Sequence, residues 1–223
     1  MKGVLAIDTA GPVVGLGFYN SVQSSSWEKR VVRGAVSYLL PKMAAFAERY
    51  DIGWVAVSTG PGAFTGLRVG VAAAIGFALA RGLDVIPLSS LMIRAAMTHQ
   101  KNTLALLDAR KGRVYAQLFD ADGEIPLAAS EAVDAEIKTV LPKEKFLAVG
   151  EGAERYRSIL EESGALIPLD AFRSPVLEAA KIAWLLRDSA QKPLQISLDY
   201  IRPPDAVVPK NLGRALGHPQ EME

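Results

Sequence analysis

The sequence predicts an α/β fold built from two weakly similar halves, and three observations carry that reading. Short apolar runs alternate with amphipathic segments in the order βββαβαβα over the first hundred residues. The order then starts again, since VLAID over residues 4–8 is echoed by LALLD over 104–108, with Asp8 and Asp108 100 residues apart. Half of the 223 residues are hydrophobic and 22% are charged, which suits a chain that buries a core in one domain or two small ones.

The elements follow in order. Gly3 to Ile7 and Val13 to Tyr19 are continuous apolar runs joined by DTAGP, where Gly11-Pro12 marks a turn, so they read as a hairpin. Ser24 to Val32 adds a third strand. From Ala35 to Tyr50, residues Val36, Leu39, Leu40, Met43, Ala47 and Tyr50 recur at helical spacing. Pro41 lies inside that pattern. It is tolerated if Ser37 caps the helix and Pro41 falls near its first turn, and otherwise kinks it. Trp54 to Val57 is a strand, Thr65 to Arg81 a helix, Asp84 to Pro87 a strand and Ser90 to Thr98 a helix. Antiparallel strands followed by alternating helices and strands give a mixed sheet.

In the second half LALLD and RVYAQLF form the repeated hairpin. A helix is expected near Asp134 to Leu141, a strand at Phe146 to Val149, and helices over Glu154 to Glu162 and Pro175 to Asp188. The expected domains are an N-terminal lobe over 1–100, a smaller C-terminal lobe over 101–198, and an extended Pro-rich tail over 199–223, with a cleft between the lobes.

Composition narrows the function classes. A formal net charge of +1 gives the whole chain no bias towards nucleic acid or membrane. The absence of cysteine excludes disulfides and thiolate metal sites. MKGVLAIDTAG lacks the long apolar stretch of a signal peptide. The apolar run from Val69 to Ala80, between Arg68 and Arg81, is short for a membrane span. A cytoplasmic chain is the expectation.

STGPGAFTGLRVG, residues 58–70, is a glycine-rich strand-to-helix corner. It lacks the lysine of a Walker loop, because Leu67 follows Gly66, and its glycines at 60, 62 and 66 miss the dinucleotide spacing. Two readings stay open. Either the backbone amides around Gly62, Thr65 and Gly66, with Thr65 as N-cap, accept an anion such as a nucleotide phosphate, or the glycines only shape a tight corner that Phe64 plugs. Asp8 and Asp108 likewise either face a shared cleft and hold magnesium with ATP or ADP, or perform turn chemistry by bonding their own following backbone.

The helix behind the corner is apolar all round, and Gly70, Ala72, Ala73, Ala74, Gly76, Ala78 and Ala80 are small enough for another backbone to come close. A helix of this kind needs cover on every side. Enclosure within the chain is one solution. The favoured expectation is an interface made by Leu40, Met43 and Ala47 of the first helix with Val69, Ala73, Ala74 and Phe77 of the second, covered by a partner protein or a second copy. Other chemistry is sparse. His99 and His218 are far apart and read as solvent-exposed, and neither H-E-x-x-H nor G-x-S-x-G occurs. Arg110, Lys111 and Arg113 form the one compact basic cluster, either a solvated turn or a minor contact to an RNA backbone.

AIDTA, STGPGAFTGLRVGVAAAIGFA, PLSSL, LLDARKGRVYAQLF and DYIRPPDAV together resemble the bacterial TsaB (YeaZ) family, over most of the chain. The resemblance implies duplicated RNase H-like lobes of the actin, sugar kinase and heat-shock ATPase superfamily. It implies a non-catalytic relative of TsaD, the enzyme that threonylcarbamoylates the adenosine beside the tRNA anticodon. TsaD holds metal through an H-x-x-x-H helix, and Ser90 and Arg94 stand at those places, so no metal site is implied. What is implied is a scaffold that pairs with a TsaD-like protein through its two N-terminal helices and recruits a TsaE-like ATPase. It pairs with itself when alone and meets tRNA only through the complex. AVSYLLP, residues 35–41, departs from the family's H-S-E-x-L-L-P. Alternatives from other classes are an active ATP-binding phosphotransferase using Asp8 and Asp108, and a metallopeptidase.

Overall fold

Apolar runs too short for helices and bounded by turn residues make the first sheet, as a computed structural model describing residues 1–31 and 34–201 shows. Strands β1 (Gly3–Asp8), β2 (Val13–Tyr19) and β3 (Ser24–Arg30) form an antiparallel meander. Helix α1 (Ala35–Arg49) then leads to β4 (Ile52–Gly60), which pairs parallel with β1. Helix α2 (Phe64–Arg81) returns the chain to β5 (Asp84–Ser89), parallel to β4, and α3 (Ser90–Ala95) follows. The sheet order is β3-β2-β1-β4-β5.

The second sheet repeats this plan. Strand β6 (Thr103–Arg110) pairs antiparallel with β7 (Arg113–Asp120), and the short β8 (Leu127–Ala128) and β9 (Val133–Glu136) both pair with β7. Strand β10 (Phe146–Val149) lies parallel to β6, helices α4 (Glu151–Arg155) and α5 (Arg157–Glu162) follow, and β11 (Ala165–Leu166) lies parallel to β10. In each sheet a central strand ending near an aspartate has an antiparallel hairpin partner on one side and parallel strands on the other. These are duplicated RNase H-like lobes, with Asp8 and Asp108 in equivalent places.

Both faces of the first sheet are covered. One carries α1 and α2 over Leu5, Ile7, Leu16, Val55 and Val57. The other carries α6 (Val176–Leu185), whose Ala179, Ala180, Ile182 and Ala183 pack on Val4, Ala6 and Ala56. The chain therefore returns from the second sheet to the first. Beyond α6, Asp199 donates its N–H to the Thr59 carbonyl at 2.9 Å, and Ile196 and Leu198 pack on the first core. A third apolar cluster joins the lobes, with Ala10, Leu67 and Leu91 meeting Ala105, Leu107 and Val149.

Several local expectations are corrected. Residues 134–141 do not form a helix. Val133–Glu136 pairs with β7, because an open sheet edge offers VDAE backbone partners that an isolated short helix lacks, and one 3₁₀ turn follows at Ile137–Thr139. The helix expected from Glu154 begins earlier, at Glu151, and is broken at Tyr156. Ser37 does not cap α1. Gly34 is the N-cap, with φ 74°, and Pro41 sits well inside the helix. The carbonyl that Pro41 leaves without a donor belongs to Ser37, and both residues are exposed, so water can serve it. The tail from residue 202 onwards, including His218, lies outside the described residues.

Candidate functional site

Two concave regions meet the first lobe, and their chemistry is opposite. The first is the cleft between the lobes, a space of about 820 Å³ lined by Thr9, Gly11, Thr65, Gly66, Asp108 and Glu151 among others. Asp8, next in sequence to the cleft-lining Thr9, is fully buried. Its Oδ1 accepts the Ala10 N–H at 3.1 Å and the Ser58 hydroxyl at 2.6 Å, and its Oδ2 accepts from Arg94 Nη2 at 3.0 Å. Turn chemistry is thus real at Asp8, but the larger partner is an arginine that the sequence reading did not assign to a site.

Arg94 reaches this point from α3, whose Ser89 cap accepts the Met92 N–H at 3.3 Å. Its Nη1 donates to the Ser90 carbonyl at 2.8 Å. Nε and Nη2 donate to both carboxylate oxygens of Glu151, at 2.8 and 2.9 Å. Burial works to lower the guanidinium's pKa, yet the charges and hydrogen bonds of Asp8 and Glu151 outweigh it and hold the group above its ordinary range. One signal in the sequence was available: a lone arginine inside the apolar stretch SLMIRAAM. Its contacts with residues 86 and 57 positions away were not readable from it.

Asp108 lines the cleft from the second lobe. Its Oδ1 accepts the Arg110 N–H at 2.9 Å, again a turn bond, and its Oδ2 pairs with Arg155 Nη1 at 3.2 Å. Arg113 of the basic cluster is paired with Asp134 at 2.7 Å. Among the described residues no group of three or more His, Asp or Glu side chains is placed to hold a metal ion. A magnesium-bound ATP or ADP does not fit these residues as they stand, because Asp8 is sealed by Arg94 and Asp108 is engaged by Arg155.

The glycine-rich corner answers to packing. A Cβ on Gly62 would lie 2.7 Å from the Ala10 carbonyl oxygen, and one on Gly66 would lie 2.2 Å from that of Thr9. The Ala63 N–H donates to the Ala10 carbonyl at 2.7 Å, and the Thr9 hydroxyl to the Gly66 carbonyl at 2.7 Å. These contacts press the start of α2 onto the β1–β2 turn. Thr65 is exposed and inside the helix. It does not cap it, since Ala63 is the N-cap. Phe64 does not plug the core either. It is half-buried beneath Tyr200, with ring centres 5.2 Å apart, and beneath the Arg68 guanidinium. Leu67 is the residue that enters the interior.

The second region is a groove of about 680 Å³ between α1 and α2. Its walls include Val36, Leu39, Leu40, Met43, Val69, Ala72, Ala73, Gly76 and Phe77, with Arg68 and Arg81 at its ends. Leu40 is 48% exposed and Val36 46%, so a row of aliphatic side chains faces outward. Met43 forms the floor and is nearly buried. Two expected interface residues lie elsewhere. Ala74 is fully buried against the lobe's own core, and Ala47 packs on that core outside the groove. At eighteen residues α2 is long and apolar enough to cross a membrane, which the shorter run in the sequence did not suggest. Its inner side, through Leu67, Gly70, Val71, Ala74 and Ala78, is buried in the lobe.

Comparison with known proteins places this geometry among relatives. The family model described as "TsaD: tRNA N6-adenosine threonylcarbamoyltransferase" matches residues 41–199. The chain is 29% identical over 180 residues to the tRNA threonylcarbamoyladenosine biosynthesis protein TsaB of Escherichia coli (strain K12), covering 74% of this chain and 78% of that one. It is 33% identical over 213 residues to an uncharacterised protein of Mycobacterium tuberculosis (strain ATCC 25618 / H37Rv), covering 91% and 93%. YeaZ from Pseudomonas aeruginosa shares the fold, with a TM-score of 0.74 at 21% identity over 90% of this chain and all of that one.

Proposed function

This chain belongs to the TsaB/YeaZ family, and from that premise we propose that it is a non-catalytic subunit of a tRNA-modifying assembly. Its part is in threonylcarbamoyladenosine biosynthesis, the process named for its relatives. In this reading a TsaD-like protein performs the transfer and lies in the α1–α2 groove. A TsaE-like ATPase joins the pair, and tRNA is met through the complex in the cytoplasm. When the TsaD-like protein is absent, a second copy of the chain covers the groove.

The observation that carries the proposal is the apolar groove, which none of the described residues covers. Leu40, Val36 and the outer sides of Ala72, Ala73 and Gly76 gain nothing from water, and burying such a surface favours association at about 25 cal/mol per Å². The engaged state of Asp8 supports a non-catalytic part, because neither a phosphotransferase nor a metallopeptidase finds a free carboxylate there. The TsaE-like partner rests on family resemblance.

Reconstitution tests the reading. The chain is co-purified with a TsaD-like and a TsaE-like protein, and tRNA threonylcarbamoylation is measured with each component left out. Modification is expected to fail without this chain, and the TsaD-like protein is expected to co-purify with it. Full modification in its absence, or ATP turnover by the chain alone, overturns the proposal.

A further inference from the structure

Each lobe supplies one side of the charged joint, and one guanidinium spans it. Arg94 and Asp8 belong to the first lobe, Glu151 to the second, and their side chains are 1%, 0% and 6% exposed. The fork of Nε and Nη2 onto both Glu151 oxygens fixes distance and orientation together, which a single contact would not do. The backbone makes room for it. A Cβ on Gly11 would fall 2.3 Å from Glu151 Oε1, inside the carboxylate itself. A second pair between the lobes, Arg30 with Glu154, is about half exposed on both sides and constrains little.

We infer that Arg94 is a built-in cation that locks the two lobes at one angle, so that the cleft of this chain does not open and close around a ligand. Hinge closure of paired lobes requires the facing surfaces to part and rejoin. Here parting would leave Asp8 with Arg94 on one side and an unpaired Glu151 on the other, each of them buried while the lobes are joined. The place between the carboxylates that a bound cation would occupy is filled by the chain's own positive charge. This inference is independent of what occupies the α1–α2 groove, which lies wholly on the first lobe.

Amide hydrogen exchange on the full chain tests it. The variants are Arg94→Met and a charge-free variant that adds Asp8→Asn and Glu151→Gln to that change. Arg94→Met alone strands two carboxylates and destabilises the fold as a whole, so the charge-free variant carries the test. In it, exchange at the β1–β2 turn and around Gly150 to Ala153 should rise at least about tenfold, while the groove helices keep their rates. Equal exchange at the joint in wild type and the folded charge-free variant would overturn the inference. So would strong added protection there when magnesium and ATP are given to the wild type, because the joint would then move with a ligand.

Discussion

The joint between the lobes and the groove on the first lobe treat charge in opposite ways. In the joint one guanidinium and two carboxyl groups are buried together, and Arg94 of the same chain bonds both acids. In the groove the chain places apolar side chains outward, and none of the described residues covers them. Burial of charge is tolerable only with a permanent partner, and exposure of apolar surface is useful only with a separable one. The first region is therefore closed to an outside ligand and the second is open to one.

The largest effect expected from breaking this pattern is on α2 itself. Ala74→Glu puts a carboxylate into the lobe's own apolar core, at about 5 kcal/mol or more, comparable to the whole stability of a domain. The variant should be largely unfolded by circular dichroism. A soluble, native-like Ala74→Glu chain would mean that this side of α2 does not face inward.

Next comes the joint. Arg94→Met leaves Asp8 and Glu151 unpaired and should lower unfolding stability by about 3–5 kcal/mol in urea titration. A loss under about 1 kcal/mol would show that the triad contributes little. The pH dependence has a definite sign. Arg94 is held above its ordinary range when folded, so its contribution is fully present below that range and is lost only as pH rises through the raised value. Stability should show no step assignable to Arg94 between neutrality and about pH 10.

Much of the fold was legible because it depends on local pattern. The duplicated strand order, the two long helices and the echo of Asp8 in Asp108 follow from periodicity and turn residues. The failures share one cause. The segment at 133–136 became a strand because β7 had a free edge, and Phe64 was held at the surface by Tyr200, 136 residues further along. The joint was the largest omission. A buried arginine is costly until its carboxylates are known, and Asp8 and Glu151 come from distant places in the chain. The groove was half legible. An all-round apolar helix signalled a missing neighbour, but with no polar residue to mark its faces, inner Ala74 could not be told from outer Ala73.

That ambiguity makes Ala73→Glu the next test. Ala73 is half-buried on the groove wall, so its change should alter the stability of the free chain by about 0.5 kcal/mol or less. Association is expected to weaken roughly 100-fold, or about 2.7 kcal/mol, with a copy of itself or with a TsaD-like protein. Sedimentation and pull-down measure both. Unchanged association with this variant would remove the groove from the interface.

The smallest expected effect separates free from assembled chain most finely. Gly76 lies within α2 on the groove wall, and a Cβ there would meet nothing within 4 Å. In the free chain a glycine at that place only loosens the helix, so Gly76→Ala should raise stability by about 0.5–1 kcal/mol. In the assembly the same methyl would stand between α2 and whatever backbone lies against it. Higher melting temperature together with weaker pairing would mean that the occupant comes close enough to need a bare Cα. Higher melting temperature with unchanged pairing would leave the groove as an interface but place its closest contact elsewhere, towards Leu40 and Val69. A fall in the stability of the free chain would contradict the open space seen at Gly76, and with it the reading of this side of α2 as uncovered.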